Sequence, residues 1–324
     1  MICLGIESTA HTFGAAVIRN KEVLSNIKKS YTTESGGIVP QKAAEHHVAE
    51  FDTIVKDALE KASLSIKDID LITFSNAPGL GHTLRIGAHV ARSIAVLHDV
   101  PIIGVNHCIA HLEIGKLLTK AKDPVLLYVS GANTQVIAFE GGKYRVFGET
   151  LDTGIGNFID TFARYIGLGF PGGPKLEKMA YLSENYIRLP YNVKGMDVSF
   201  SGILTKLKRL FDESKHKTED LAYSMQETVF AMLLEVSERA MAHCGKKELL
   251  LGGGVACNTR LQDMAKKMCE ERGAECFVLE NQYNVDNAAM IAHLGLKMFK
   301  AGVRHDIDMP IDPYERTDDI EVSW

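Results

Sequence analysis

The chain has 324 residues, 46% apolar and 24% charged, with a formal net charge of -5, which is length enough for a large core and more than one domain. No apolar run reaches the ~18 residues of a membrane span. The start, MICLGIESTAHT, has no basic region of the signal-peptide kind, so a cytoplasmic protein that does not engage membranes is expected. The acidic balance argues against a chain that grips nucleic acid by its own overall charge. The six cysteines, Cys3, Cys108, Cys244, Cys257, Cys269 and Cys276, form no CxxC and read as reduced thiols.

The N-terminus reads as a β-meander: ICLGIES, a polar turn TAHT, then FGAAVIRN and KEVLSNI. Helical periodicity follows over Pro40–Lys61, a strand over Leu71–Ser75 and a helix over Thr83–His98. The apolar run Pro101–Val105 precedes a helix over Ile109–Leu118. Near Val125 the opening pattern returns as VLLYVSG, ANT, QVIAFE and GGKYRVFGE. Two similar α/β halves are therefore expected, residues 1–120 and 121–324, split between about Thr119 and Pro124. The second half continues with helices over Asn157–Ile166 and Lys175–Leu182, a loop or β excursion over Tyr191–Ser201, and a helix over Asp220–Ala242. A strand over Glu248–Leu251 and helices over Thr259–Arg272 and Asn287–Phe299 close the chain.

Several stretches bear on chemistry. In NHCIAHLE, Asn106–Glu113, a helix would put His107 and His111 on one face, as a metal requires; a core histidine beside a surface one fits the same spacing. The adjacent pair in Glu45–His47 would point apart on a helix. LLLGGGVACNTRL, Leu249–Leu261, reads as strand, glycine loop and helix start. Its backbone would admit a nucleotide against Gly252–Gly254, with Asn258 bonding to it, or would form a plain tight turn. It is neither a dinucleotide fingerprint nor a P-loop. The turn Ser130–Thr134 is suited to a phosphate and is paralleled by Glu7–Thr12. Asp160 falls on a helix and Glu177 in the first turn of another, where an acid also complements the dipole.

Taken in order, GIESTAHT, GGIVPQKAAEHH, APGLGHTLRIGAHVARSIA, GVNHCIAHLE, LYVSGANTQV, GETLDTGIGNFID, GFPGGPKLEK, GMDVSFSG, the GGGVACNTRL loop and VDNAAMIA resemble the TsaD family of tRNA threonylcarbamoyladenosine synthases, in its archaeal and eukaryotic, KEOPS-type branch. The resemblance runs from about Cys3 to Trp324. It implies a two-lobed actin, heat-shock-chaperone and sugar-kinase-like (ASKHA) fold with duplicated α/β subdomains. The N-terminal lobe would carry the HxxxH motif and the C-terminal lobe the phosphate and adenosine loops. It also implies transfer of a threonylcarbamoyl group from threonylcarbamoyl-AMP to N6 of adenine 37 in tRNAs reading A-starting codons. By the same resemblance one iron or zinc ion is held by His107, His111, Tyr128 and Asp286. Adenylate is bound by Tyr128, Val129, Ser130, Gly131, Ala132, Asp160, Gly173, Glu177 and Asn258. The implied partners are tRNA, a small protein kinase-like ATPase subunit that some archaea fuse to this chain, a small dimerising subunit and a kinase-regulating subunit. Ala132, Cys257 and Ala288 depart from the family pattern, each next to the expected ligand surface.

The chemistry suits these residues. An exocyclic adenine amine is a poor nucleophile, so the acyl donor must be activated, and a metal polarises its carbonyl. A metalloprotease is disfavoured, because HExxH is required and Cys108 follows the first histidine. A small-molecule kinase on the same fold would leave HxxxH and Asp286 without a role. A non-catalytic nucleotide-binding scaffold remains an alternative. No general base is assigned.

Overall fold

A computed structural model describes residues 1–33 and 37–324; Gly36, at the start of the GGIVPQKAAEHH run, lies outside the described residues. The first half contains β1 (Ile2–Glu7), β2 (Thr12–Arg19), β3 (Glu22–Ser30), α1 (Pro40–Lys61), β4 (Leu71–Ala77), α2 (Gly81–His98), β5 (Ile102–Asn106) and α3 (His107–Leu118). The second contains β6 (Val125–Val129), β7 (Thr134–Glu140), β8 (Lys143–Glu149), α4 (Ile155–Tyr165), α5 (Gly173–Ala180), β9 (Val193–Lys194), β10 (Asp197–Val198), α6 (Ser201–Asp212), α7 (Thr218–His243), β11 (Glu248–Gly252), α8 (Thr259–Glu271), β12 (Glu275–Val278), α9 (Asn281–Asn284) and α10 (Ala288–Lys300).

The two halves repeat one topology. The first sheet runs β3-β2-β1-β4-β5 and the second β8-β7-β6-β11-β12. In each, an antiparallel meander is extended by two parallel strands. Of the parallel strands, β4 and β5 are buried along their whole length and β11 along all but its first residue, because helices cover both of their faces. One core packs α1 and α2 on the outer face of the first sheet, built on Ile54, Ala58, Ala88 and Ala91. Another packs α4 to α8 on the outer face of the second. Between the sheets lies a third core of α3 and α10, with Ile109, Leu112, Ile291 and Leu294 at its centre. The layers are therefore helix, sheet, helix, sheet, helix.

Helix α10 comes from the second half of the chain yet packs on β1, β2 and β4 of the first sheet. The approach is close: a Cβ on Gly5 would lie 2.5 Å from the Ala288 carbonyl oxygen, so glycine is required in β1 there. The loop expected over Tyr191–Ser201 contains the short β9–β10 hairpin and ends where α6 begins. Helix α6 is absent from the periodicity reading although Ile203, Leu207 and Leu210 form its buried stripe. Its N-terminus carries no local side-chain cap. The cap comes from afar, as the Asp152 carboxylate accepts the amides of Phe200 and Ser201 at 3.0 and 2.8 Å. The four-residue edge strand β12 is likewise too short to announce itself.

Candidate active site

Strand β5 ends at Asn106, whose Oδ1 accepts the amides of Cys108 and Ile109 at 2.9 and 3.2 Å. This N-cap starts α3 at His107, two residues before the expected helix, and His111 follows one turn later on the same face. The two imidazole centroids are 4.8 Å apart. Asp286 enters from the loop between α9 and α10. Lys28 Nζ pins that loop by donating to the carbonyls of Gln282 and Asp286 at 2.8 and 3.1 Å. Asp286 Oδ1 lies 3.3 Å from His107 Nε2 and 3.5 Å from His111 Nε2. Tyr128, near the end of β6, brings its hydroxyl to 3.0 Å from His107 Nε2. Among the described residues, His107, His111 and Asp286 form a group whose ligand atoms all lie within 4.8 Å of one another. Glu45, His46 and His47 form no such group; His47 is buried edge-on against Phe13.

The residues fit a metal ion on two counts. Both ring nitrogens of the fully buried His111 lack a hydrogen-bond partner, which is costly unless something accepts the lone pair. The donor set, two imidazoles and a carboxylate with a phenol beside them, suits zinc or iron. Behind His107 stands a carboxylate that the motif reading did not single out as a metal-site residue. Glu7 Oε2 lies 3.0 Å from His107 Nδ1, while Glu7 Oε1 accepts the Thr9 amide and hydroxyl at 2.7 and 2.5 Å. With Nδ1 turned to Glu7, Nε2 faces the ligand position. The available signal was an acid ending a wholly apolar strand, ICLGIE.

Burial opposes charge on His107 but is outweighed by the Tyr128 oxygen, Glu7 and Asp286, so its pKa lies well above the ordinary value. Burial holds His111 below it. For Asp286, burial is outweighed by His107 and His111, and its carboxyl lies well below the usual range. Burial pushes the Tyr128 phenol above its ordinary range.

The group lies at the floor of a cleft of about 1150 Å³. Tyr128, Ser130, Gly131, Ala132, Asp160, Gly173, Glu177 and Asn258 all line it, with His107 and Asp286. Val129 is buried in the core of the second half, and His111 sits behind the cleft wall. Three of the lining side chains also serve the fold. Asp160 Oδ1 accepts the Gly172 amide at 2.7 Å, and Glu177 Oε1 accepts the Thr259 amide at 2.8 Å. Asn258 caps α8 through the Leu261 amide and donates to Gln226. Within the glycine loop the roles divide. Gly253 has a φ of +94°, and a Cβ on it would lie 2.4 Å from the Val129 carbonyl oxygen; its requirement is structural. Gly254 lines the cleft, and a Cβ there meets nothing within 4 Å.

Comparison with known proteins gives consistent results. A family model described as TsaD: tRNA N6-adenosine threonylcarbamoyltransferase matches residues 22–293. A Thermococcus sibiricus protein named tRNA N6-adenosine threonylcarbamoyltransferase is 58% identical over 325 residues, covering all of both chains. A Thermoplasma volcanium protein named "Probable bifunctional tRNA threonylcarbamoyladenosine biosynthesis protein" is 49% identical; all of this chain spans 62% of that one. In fold, the chain is similar to the crystal structure of T. kodakarensis HypF, with a TM-score of 0.65 at 15% identity over 91% of this chain and 47% of that one.

Proposed function

The chain belongs to the TsaD family of tRNA N6-adenosine threonylcarbamoyltransferases, and from that premise we propose that His107, His111, Asp286 and Tyr128 hold one iron or zinc ion at the floor of the nucleotide cleft. The activity is that of the family: a threonylcarbamoyl group passes from threonylcarbamoyl-AMP to N6 of an adenosine in tRNA, adenine 37 in this reading. The fold is the actin-like one of its structural neighbours. The observation that supports the metal is the convergence of three ligand-capable side chains, one with both ring nitrogens unpartnered, at the floor of that cleft.

An ion bound there supplies a Lewis acid for the acyl carbonyl. The chain's own residues do the rest. Glu7 and Thr9 fix the imidazole of His107. The Ser130–Asn133 turn, closed by Ser130 N to the Asn133 carbonyl at 2.8 Å, faces the phosphate. Gly254 and Asn258 border the adenosine, and Asp160, Gly173 and Glu177 shape the same end. Holding two substrates in contact supplies much of the rate gain.

The partners proposed are a kinase-like ATPase subunit, a small dimerising subunit and a kinase-regulating subunit of a KEOPS-type assembly, which would add positive surface to a chain of net charge -5. The bifunctional name of the Thermoplasma relative supports a second protein acting beside this one. Transfer to tRNA by the purified chain with those proteins, before and after chelation and with zinc or ferrous iron restored, tests the reading. Full activity after exhaustive metal removal would overturn it.

A further inference from the structure

The proposed donor positions in the cleft, Ser130, Asp160, Gly173, Glu177 and Asn258, all come from the second half of the chain. The facing wall comes from the first half and has a different character. Pro40, Pro78 and Leu80 line it with His11, and Phe170 reaches across from the second half to meet them. The His11 and Phe170 rings stand edge to face, with centroids 5.9 Å apart at 79°. The backbones of Thr33 and Phe170 form an isolated β-bridge at the same crossing. This wall begins at the metal end: Thr9 Oγ1 lies 3.2 Å from His107 Nδ1, and His11 follows two residues later.

The reaction places two purines in one cleft. N6 of the acceptor gives its lone pair to the carbonyl carbon of the threonylcarbamoyl group. The bond from that carbon to the phosphate oxygen breaks, AMP leaves with the electron pair, and one N6 proton is released to solvent. The acceptor base must therefore leave its own stack and lie beside a bound donor. Bases held out of a stack are gripped by aromatic and apolar faces. The cleft encloses about 1150 Å³, at the upper end of the roughly 300–1,000 Å³ typical of ligand pockets. We propose that His11 and Phe170, with Pro78 and Leu80, form the subsite for the acceptor adenine, next to the donor adenylate. This rests on the placement of donor and metal given above.

The test is steady-state transfer to tRNA in the reconstituted reaction with His11→Ala and Phe170→Leu, the second keeping apolar bulk where the β-bridge crosses. Loss of one stacking face should raise the KM for tRNA by about tenfold, and Phe170→Tyr should restore it to within about twofold. AMP affinity by calorimetry and metal content should stay at the parent values. An unchanged KM for tRNA in both variants overturns the proposal, as does a matching fall in AMP affinity, which would assign the rings to the donor. Gly254→Val separates this from the donor placement. If that variant leaves AMP affinity intact, the donor site is misplaced, while the effect of His11 and Phe170 on tRNA is still read directly.

Discussion

Lys297 Nζ lies 2.6 Å from Glu113 Oε2, an ion pair between α10, which follows Asp286, and α3, which carries both histidines. Glu113 is 2% exposed and also accepts the Tyr144 hydroxyl from β8 at 2.6 Å and Lys116 Nζ at 3.0 Å. One buried carboxylate thus ties together α3, α10 and the second sheet, the elements that border the ligand group. Removing one partner leaves a buried carboxylate with less to compensate its charge. Lys297 is about a third exposed, which discounts the cost. Lys297→Met should lower stability by about 2 kcal/mol and Tyr144→Phe by about 1.5 kcal/mol, both read as shifts in the urea midpoint at constant slope.

His111→Ala should yield a folded chain that no longer retains stoichiometric zinc or iron, measured by elemental analysis after dialysis. Transfer activity should fall with the metal. Within the protein the imidazole makes no closer polar contact than the 3.5 Å approach to Asp286, so the fold should survive its loss. A His107→Ala/His111→Ala double variant that still held one equivalent would falsify the ligand assignment.

The glycine loop offers a paired comparison. Gly254→Val should weaken AMP binding by at least tenfold in calorimetry while leaving the melting temperature near the parent value, because its Cβ meets no protein atom. Gly253→Val should instead fail to fold or melt far lower, since it combines a left-handed φ with a backbone clash. Equal effects of the two on AMP binding in folded protein would remove the distinction.

Asp152 supplies the acid limb of stability for α6. Burial raises its carboxyl, but the amides of Phe200, Ser201 and Thr153 outweigh that and hold it below the ordinary range. Its contribution is therefore present above the unfolded carboxyl pKa of about 3.9 and is lost as pH falls through the folded value. Asp152→Asn should be less stable than the parent at neutral pH. The difference should shrink toward zero on acidification below about pH 4, followed by denaturant melts across the range.

Helix α6 also presents Lys206, Lys208 and Arg209, with Lys208 over the Tyr165 ring at 4.9 Å and Arg209 at 3.6 Å from Glu213. Changing all three to Glu should lower tRNA affinity of the assembled complex and flatten its salt dependence by up to about three units of log–log slope. Adenylate affinity should be unchanged. Tight tRNA binding by the isolated chain at the same ionic strength would contradict the role given to its partners.

Much of this was legible in the residues. Helix α1 begins and ends where its periodicity does, because Pro40 fixes its first turn and a long apolar stripe defines its face. The internal repeat emerged from two meanders and reappears as two sheets of one strand order. HxxxH pointed to a shared face, which Asn106 secures by capping α3. The long-range partners were not legible from local spacing: Glu7 meets His107 across 100 residues and Lys28 reaches Asp286 across 258. Asp286 itself came from family resemblance, not from local spacing. Helix α6 escaped the periodicity reading, and its cap is supplied 48 residues upstream by Asp152.

The seat of α10 on β1 has a consequence for biosynthesis. A ribosome adds roughly 5–20 residues per second, so the first sheet waits on the order of ten seconds or more after β5 emerges before the helix that covers its inner face exists. Over that interval the groove at Gly5 stands open, and the ligand group lacks Asp286. An N-terminal fragment ending after α3 should therefore be aggregation-prone by itself, and a synthetic peptide spanning Asp286–Lys300 should rescue its solubility in trans.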